Sequence, residues 1–536
     1  MIAMTLADIA RATGAELVNP GGRSSDSVLR IATDSREVRE GDLFVAIRGD
    51  RLDGHDYVKA ACDGGASACL CDRRWYARQA GFAGSPQAPS AIQTRRGGND
   101  LSIPALVVSD TVEALGKLAA HYRRDVMNPA TIVIAITGTN GKTTTKAMLD
   151  HLLSPSFVGR AALRSFNNAI GVPLTILSAD PDDRYLIVEI GSSAPGEVDA
   201  LARIAMPNAA IITSIGEAHL EGLVDLAGVV REKAALLDHV RSDGLIVVNV
   251  DQPQMLERLT DSSAGRPILA KQGWGTDEFR SCSTFPDASP GAKDGEPMLS
   301  RSGPRVVTVG TGGDASLTVS IIESDVHRTT LELDGRIRVT VPMPGRHHAT
   351  NAAAAFAVAR WFGIPPRQII ERLSTFVPLE GRTRSIALGD IQLIDDAYNA
   401  NPASMSAVVE ALAAITEEKS RPAGRRRVLV MGDMLELGDA SAAFHERIVE
   451  AVMSAGIEVL VAVGPRTVEA ADRQIRLGHQ CESPSRATRV IACDDAADAA
   501  TKVADVVQAG DVVWVKGSRG IGLDRVVTDL AREFRI

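Results

Sequence analysis

The run "IAITGTNGKTTTK" at residues 134–146 sets two glycines, a lysine and a row of hydroxyls directly behind an apolar stretch. Where a strand turns into a helix, the N–H groups of the turn and the helix N-terminus form a cradle for anions. Here Gly138, Thr139, Asn140 and Gly141 would make the turn. Lys142 could reach the β- and γ-phosphates of a nucleotide, the Thr143 hydroxyl could sit on Mg²⁺, and Thr144 would follow in the first helical turn. The common phosphate-loop spacing asks for glycine at position 136, where this chain has Ile136. Gly138 takes over that role, so the loop is shortened and intact. An ordinary Gly-rich turn with an exposed lysine would not require strand, glycines, Lys-Thr and helix in this order.

Such a loop needs a sheet whose strands end at the phosphates, and the chain supplies the pattern. Apolar runs "TIVIAIT", "YLIVEIG", "NAAIITSIG" and "GLIVVNV" alternate with helical stretches such as "KTTTKAMLDHLL" and "DLAGVVREKAALLDHV". That alternation predicts an α/β fold with a mostly parallel sheet. It restarts after about residue 378 with "QLIDDAY", "RRVLVMGD", "EVLVAVG" and "DVVWVKGS", predicting a separate Rossmann-like domain. A chain of 536 residues is long enough for three or so domains. The expected division is residues 1–128, a mixed α/β N-terminal domain, then 129–377, then 378–536. Residues 81–104 and 275–317, rich in Gly, Pro and Ser, are expected to be loop-like insertions without chemistry. The triple arginine at 425–427 is expected to be a solvated strand entrance.

Composition narrows the function classes. A formal charge of -9 leaves no basic field for nucleic acid. No apolar stretch reaches the ~20 residues of a membrane span, and the N-terminus predicts a short helix rather than a leader. The six cysteines form no CxxC pair, which predicts reduced thiols in a cytoplasmic protein. Glu189 ends an apolar strand, where a carboxylate would face phosphates at the sheet's C-terminal edge.

The motif Gly-Thr-Asn-Gly-Lys-Thr-Thr resembles the phosphate loop of the Mur ligase superfamily, whose members use ATP to phosphorylate a carboxylate that an amine then attacks. The resemblance implies ATP and two Mg²⁺ ions, with Lys142, Glu189, His219 and Lys233 as catalytic groups. It makes Thr143, Glu189, His219 in "GEAHLEG" and Lys233 metal ligands, the lysine after carbamylation by CO₂. Spacing alone would leave His219 and Lys233 as structural or solvated residues.

Further stretches are similar to the branch that adds D-alanyl-D-alanine to UDP-N-acetylmuramoyl-tripeptide: "SFNNAIGVPLTIL", "PGRHHATNAAAAFAVA", "IDDAYNANPASM", "VMGDMLELGDASAAFH" and "VKGSRG". The segment "TDSREVREGDLFVAIRGDRLDGHDYVKAACDGGA" looks like that branch's UDP-binding domain. By matching position, Ser35 and Arg36 would touch the UDP end, with turn capping as the plain alternative. Asn168 would position the nucleotide substrate. Asn351, taken to open an alanine-rich helix, would touch adenine, helix capping being its alternative. Asp396 would accept from ribose, and Arg382 would approach the nucleotide unless it forms a surface salt bridge. Lys516, Ser518 and Arg519 would meet the incoming dipeptide, a cation and a hydroxyl suiting its carboxylate. Departures from the usual motifs, such as His348 within "GRHH", leave the adenine contacts open. The expected protein is a cytoplasmic monomeric ligase, without nucleic acid or membrane insertion. Two alternatives stay open: another amide ligase of the superfamily, and a nucleotide-binding relative that has lost turnover.

Overall fold

A computed structural model of the chain describes residues 1–18, 25–49, 51–79, 103–163, 165–260, 304–313, 315–415, 426–477 and 488–534. It packs as two compact units. The first comprises Met1–Ala135, Ser156–Gly191 and Val198–Asn208, the second Ile136–Pro155, Ser192–Glu197 and Ala209–Ile536.

The first unit holds a five-stranded sheet in the order Glu16–Val18, Ala105–Val108, Ala68–Asp72, Asp42–Val45, Arg30–Ala32. All neighbours run parallel except the edge strand Glu16–Val18. Strands such as Asp42–Val45 are buried along their whole length, as expected where helices cover both faces and the apolar run is continuous. The same unit contains the parallel pair Gly159–Ala161 and Tyr185–Glu189.

The second unit carries two sheets. In the wider one, strands Ala209–Ile212, Leu245–Asn249, Arg305–Gly310 and Leu317–Ser324 run parallel in that order, and Thr329–Leu333 and Ile337–Val341 close the edge antiparallel. The mostly parallel sheet expected from the alternation therefore ends in a meander. Arg305–Gly310 also corrects the expected insertion at 275–317. Its six residues "RVVTVG" form a full strand of this sheet, hidden from a composition-based reading by the Gly/Pro-rich sequence around it. Residues 275–303 of that segment, and 81–102 of the other, lie outside the described residues, as does Arg425.

The other sheet has the order Arg384–Leu388, Ile391–Asp396, Val512–Lys516, Arg427–Gly432, Val459–Val463, Arg489–Cys493. Only its first pair is antiparallel. Trp514 is fully buried in one of the two apolar layers that cover this sheet. The strand after the arginine run opens at Arg427, which pairs with Glu458 at 2.9 Å and is nearly buried, so this strand entrance is ion-paired rather than simply solvated. Among the described residues no helix is long and apolar enough to cross a membrane.

Candidate functional site

The strand Ile132–Thr137 ends in the loop, and the helix Lys142–Leu153 starts from Gly141 as its N-cap. Gly138 has φ +139° and Gly141 φ +84°. A Cβ on Gly138 would overlap the Thr213 hydroxyl, and one on Gly141 the Asn351 carboxamide, so both glycines answer to backbone shape and to close approach. The loop is tied down by its neighbour after strand Ala209–Ile212. Thr139 N–H donates to the Ser214 carbonyl at 2.8 Å, Asn140 N–H to Ser214 Oγ at 2.9 Å, and Thr213 Oγ1 to the Asn140 carbonyl at 2.5 Å. Lys142 Nζ donates back to the carbonyls of Gly138 and Thr139 at 2.7 and 3.1 Å. Its charge thus stays at the mouth of the loop.

Sequence reasoning missed the anchor on the loop's other side. Asn140 and Asn401 exchange carboxamide hydrogen bonds at 3.1 and 2.7 Å. Asn401 also caps the helix Pro402–Ala413 in a reciprocal box with Ser404. The only signal was an Asn-Pro helix start, which speaks of a cap and not of a partner far away in the chain. Arg382 Nη2 comes within 3.3 Å of Thr143 Oγ1, and its guanidinium lies over the Tyr398 ring at 3.8 Å. Its guanidinium thus faces the loop.

Lys233 and His219 gather beside Lys142. Lys233 sits on the helix Leu226–Ala234, 2% exposed, with Nζ 2.6 Å from Ser192 Oγ. Burial, reinforced by the Lys142 charge, pushes its pKa down to about 7. The solvated helical lysine that spacing left open is therefore excluded. His219 has φ 53°, and its Nδ1 lies 2.7 Å from Glu436 Oε2 in a bent approach. Burial lowers its pKa, and the cations of Lys142 and Lys233 act in the same sense against the pull of Glu436.

At the C-terminal edge of the second sheet, Asp396 and Lys516 are register partners. Lys516 Nζ donates to Asp396 Oδ2 at 2.7 Å and to the Asn399 carbonyl at 2.9 Å, and both side chains are buried. Two residues expected to serve different substrates are thus one ion pair. Ser518 braces two loops, accepting from Leu435 N–H at 2.9 Å and donating to the Ala400 carbonyl at 3.3 Å. Arg519 bonds the Tyr398 hydroxyl at 3.1 Å. Asn351 is buried in the first turn of a helix that opens at His348, one turn earlier than expected, so it is not a cap. His347 and His348, with ring centroids 4.0 Å apart, pack beside it.

In the first unit, Glu189 is 1% exposed and its Oε1 accepts from Asn167 Nδ2 at 3.2 Å. Asn168 instead folds its carboxamide onto the N–H groups of Ile170 and Gly171. Of the Asn-Asn pair, the partner of the carboxylate is therefore the first, which neighbouring identical residues cannot reveal in sequence. Ser35 and Arg36 lie in a single 3₁₀ turn whose cap is Asp34. Arg36 reaches back to Asp34 at 2.6 Å and is largely exposed, and this pairing holds the carboxyl down to about 2. Both remain on an open surface of the unit.

The donors suit Mg²⁺. His219 keeps Nε2 for an ion while Nδ1 faces a carboxylate, the usual outer partner of a ligating imidazole. Lys233 would fit only as a carbamate, and an amine whose pKa is lowered to about 7 could supply the neutral form such a reaction needs. Among the described residues no three His, Cys, Asp or Glu side chains gather into a metal-binding group. Mg²⁺ commonly takes one or two carboxylates along with phosphate oxygens and water.

Family models match the chain in three places: Mur ligase family, catalytic domain, over residues 28–123; Mur ligase middle domain over 136–268; and Mur ligase, glutamate ligase domain, over 381–519. The chain is 30% identical over 533 residues to the UDP-N-acetylmuramoyl-tripeptide--D-alanyl-D-alanine ligase of Bacillus subtilis, covering 99% of both chains. The ligase of the same name from Escherichia coli is also 30% identical, with 99% of each covered. Among solved structures, MurF from Acinetobacter baumannii superposes with a TM-score of 0.75 at 26% identity, covering 99% of both chains.

Proposed function

Because the chain belongs to the Mur ligase family, in its UDP-N-acetylmuramoyl-tripeptide–D-alanyl-D-alanine ligase branch, we propose that it joins D-alanyl-D-alanine to UDP-N-acetylmuramoyl-tripeptide with ATP, in cytoplasmic peptidoglycan precursor synthesis. The observation that carries the reading is the tied-down loop Gly138–Thr143 with Lys142 at its mouth and His219 and Lys233 beside it. The carboxylate ending the tripeptide attacks the γ-phosphorus, a new O–P bond forms, and ADP leaves. Charge on the transferring oxygens would be met by Lys142, held at the mouth of the loop by the Gly138 and Thr139 carbonyls, and by the N-terminus of the helix Lys142–Leu153. The dipeptide amine then attacks the acyl carbon and phosphate departs. Thr143, His219 and carbamylated Lys233 would hold Mg²⁺, which when bound would neutralise phosphate charge.

We assign residues 1–128 to the UDP end of the substrate, through Ser35 and Arg36, with Asn168 on the same nucleotide substrate. Residues 129–377 bind ATP, with Gly138–Thr144 on the phosphates and Asn351 at the base. Residues 378–536 bring the dipeptide to Ser518 and Arg519, with Arg382 and Asp396 contributing to the nucleotide. Asp396 also holds Lys516 in place, so that lysine acts within the ion pair. The working form is a monomer.

The test is phosphate release with Mg²⁺-ATP, with each substrate present or omitted. Release requiring both substrates, with a product heavier by one dipeptide, supports the reading. Release requiring neither overturns it in favour of another acceptor, and ATP binding without release in favour of an inactive relative. Lys142→Ala is expected to lower turnover on the order of 10²–10³-fold with the fold intact. Full activity in that variant would remove the loop assignment.

A further inference from the structure

His219 and Glu436 meet at 2.7 Å from positions far apart in the sequence, one after a strand of the wide sheet, the other after strand Arg427–Gly432 of the C-terminal sheet. Neither is glycine, yet both have left-handed backbones, with φ 53° and φ 63°. Such conformations are unfavourable for residues that carry a Cβ. Glu436 is 62% exposed at its side chain, and an ion pair that wet returns less than two strained residues cost. Stability therefore does not account for the contact. The surrounding contacts aim the two loops at each other. Arg447 pairs with Glu217 at 2.9 Å, and Leu220, next to His219, packs on the apolar layer of the C-terminal sheet.

We propose that Glu436 is a positioning residue for His219: once the bent 2.7 Å approach straightens on ion binding, its carboxylate accepts a hydrogen bond from Nδ1–H and leaves the Nε2 lone pair facing the cation beside the phosphate loop. The proposal rests on the ligase reading, in which His219 is a metal ligand. An imidazole that ligates an ion through one nitrogen carries its single N–H on the other. A carboxylate on one nitrogen decides which tautomer that is and raises the basicity of the other nitrogen. Because Glu436 rides on the C-terminal sheet, the cation position is completed only when that sheet's loop is docked. The metal site and the dipeptide-binding sheet are then assembled together.

The experiment counts Mn²⁺ ions by electron paramagnetic resonance on the full chain with a non-hydrolysable ATP analogue. The native protein is expected to bind two. Glu436→Ala should weaken the second ion by roughly 10–100-fold, as loss of such outer partners does, and leave the first unchanged. Glu436→Gln, which retains an acceptor, should weaken it less. Arg473→Ala, which removes an exposed pair with Glu446 away from both loops, should bind both as the native protein does. Both Glu436 variants alter a largely exposed side chain and are expected to fold. Native affinity for the second ion in Glu436→Ala overturns the proposal. His219→Ala separates the two readings: two ions retained there would remove His219 as a ligand, whereas a second ion lost there but kept in Glu436→Ala would sink the positioning role alone.

Discussion

Lys233 Nζ lies 2.6 Å from Ser192 Oγ, in a place where the lysine is 2% exposed. One hydroxyl is a weak substitute for water around an ammonium, and the pKa falls from 10.5 to about 7. In the unfolded chain the amine stays protonated up to its ordinary value. Between pH 7 and 10.5 the unfolded state therefore holds the extra proton, and stability rises with pH through that window. Below pH 7 both states are charged and the folded one bears the full penalty. In CO₂-free buffer, Lys233→Met is expected to raise the unfolding temperature most below pH 7, with the gain shrinking toward pH 10. A gain independent of pH would contradict the buried-charge account.

Asn140 and Asn401 exchange two hydrogen bonds, and each such bond is worth about 1 kcal/mol net. A double-mutant cycle with alanine, read by urea unfolding, should show coupling on the order of 1 kcal/mol. Asn401→Ala should cost about 1 kcal/mol more than Asn140→Ala, because it also removes a helix cap. Equal costs would mean that the cap contributes nothing.

Asp396 and Lys516 form a buried pair. Lys516→Met strands a carboxylate and Asp396→Leu strands an ammonium, and breaking a pair of this kind costs about 3–5 kcal/mol. The double variant, apolar on both sides, should recover much of that loss in equilibrium unfolding. Additive losses in the double variant would show that the two charges are satisfied separately.

Desolvation lowers the pKa of partly buried His347 from 6.5 to about 4, with Asp396 opposing the shift and Lys516 adding to it. The unfolded chain binds the proton first, so this contribution is complete above pH 6.5 and is lost as pH falls through 4. His347→Gln should flatten the stability profile between those limits. A profile as steep as the native one would assign the acid limb to other groups, His348 first among them.

The phosphate loop was readable because its chemistry is local: strand, turn glycines, helix cap and lysine follow one another from Ile132 to Lys142, and backbone geometry follows from residue type. The α/β alternation was readable for the same reason, since helix and strand periods are written in neighbouring residues. The strand Arg305–Gly310 was not, because six residues among Gly and Pro carry too little periodicity to stand out. Lys233 and His219 carried no mark of their own in spacing, and they stood out only through similarity to a family.

What the chain determined by itself is the loop, the layered sheets and the list of groups able to handle phosphate. The tertiary structure decided the partners. Asn401 reaches Asn140, Ser192 reaches Lys233, Glu436 reaches His219 and Lys516 closes on Asp396. Each pairing depends on where separate strands end in space. That is set by sheet order and packing over hundreds of residues, and a linear pattern of residue types does not encode those distances.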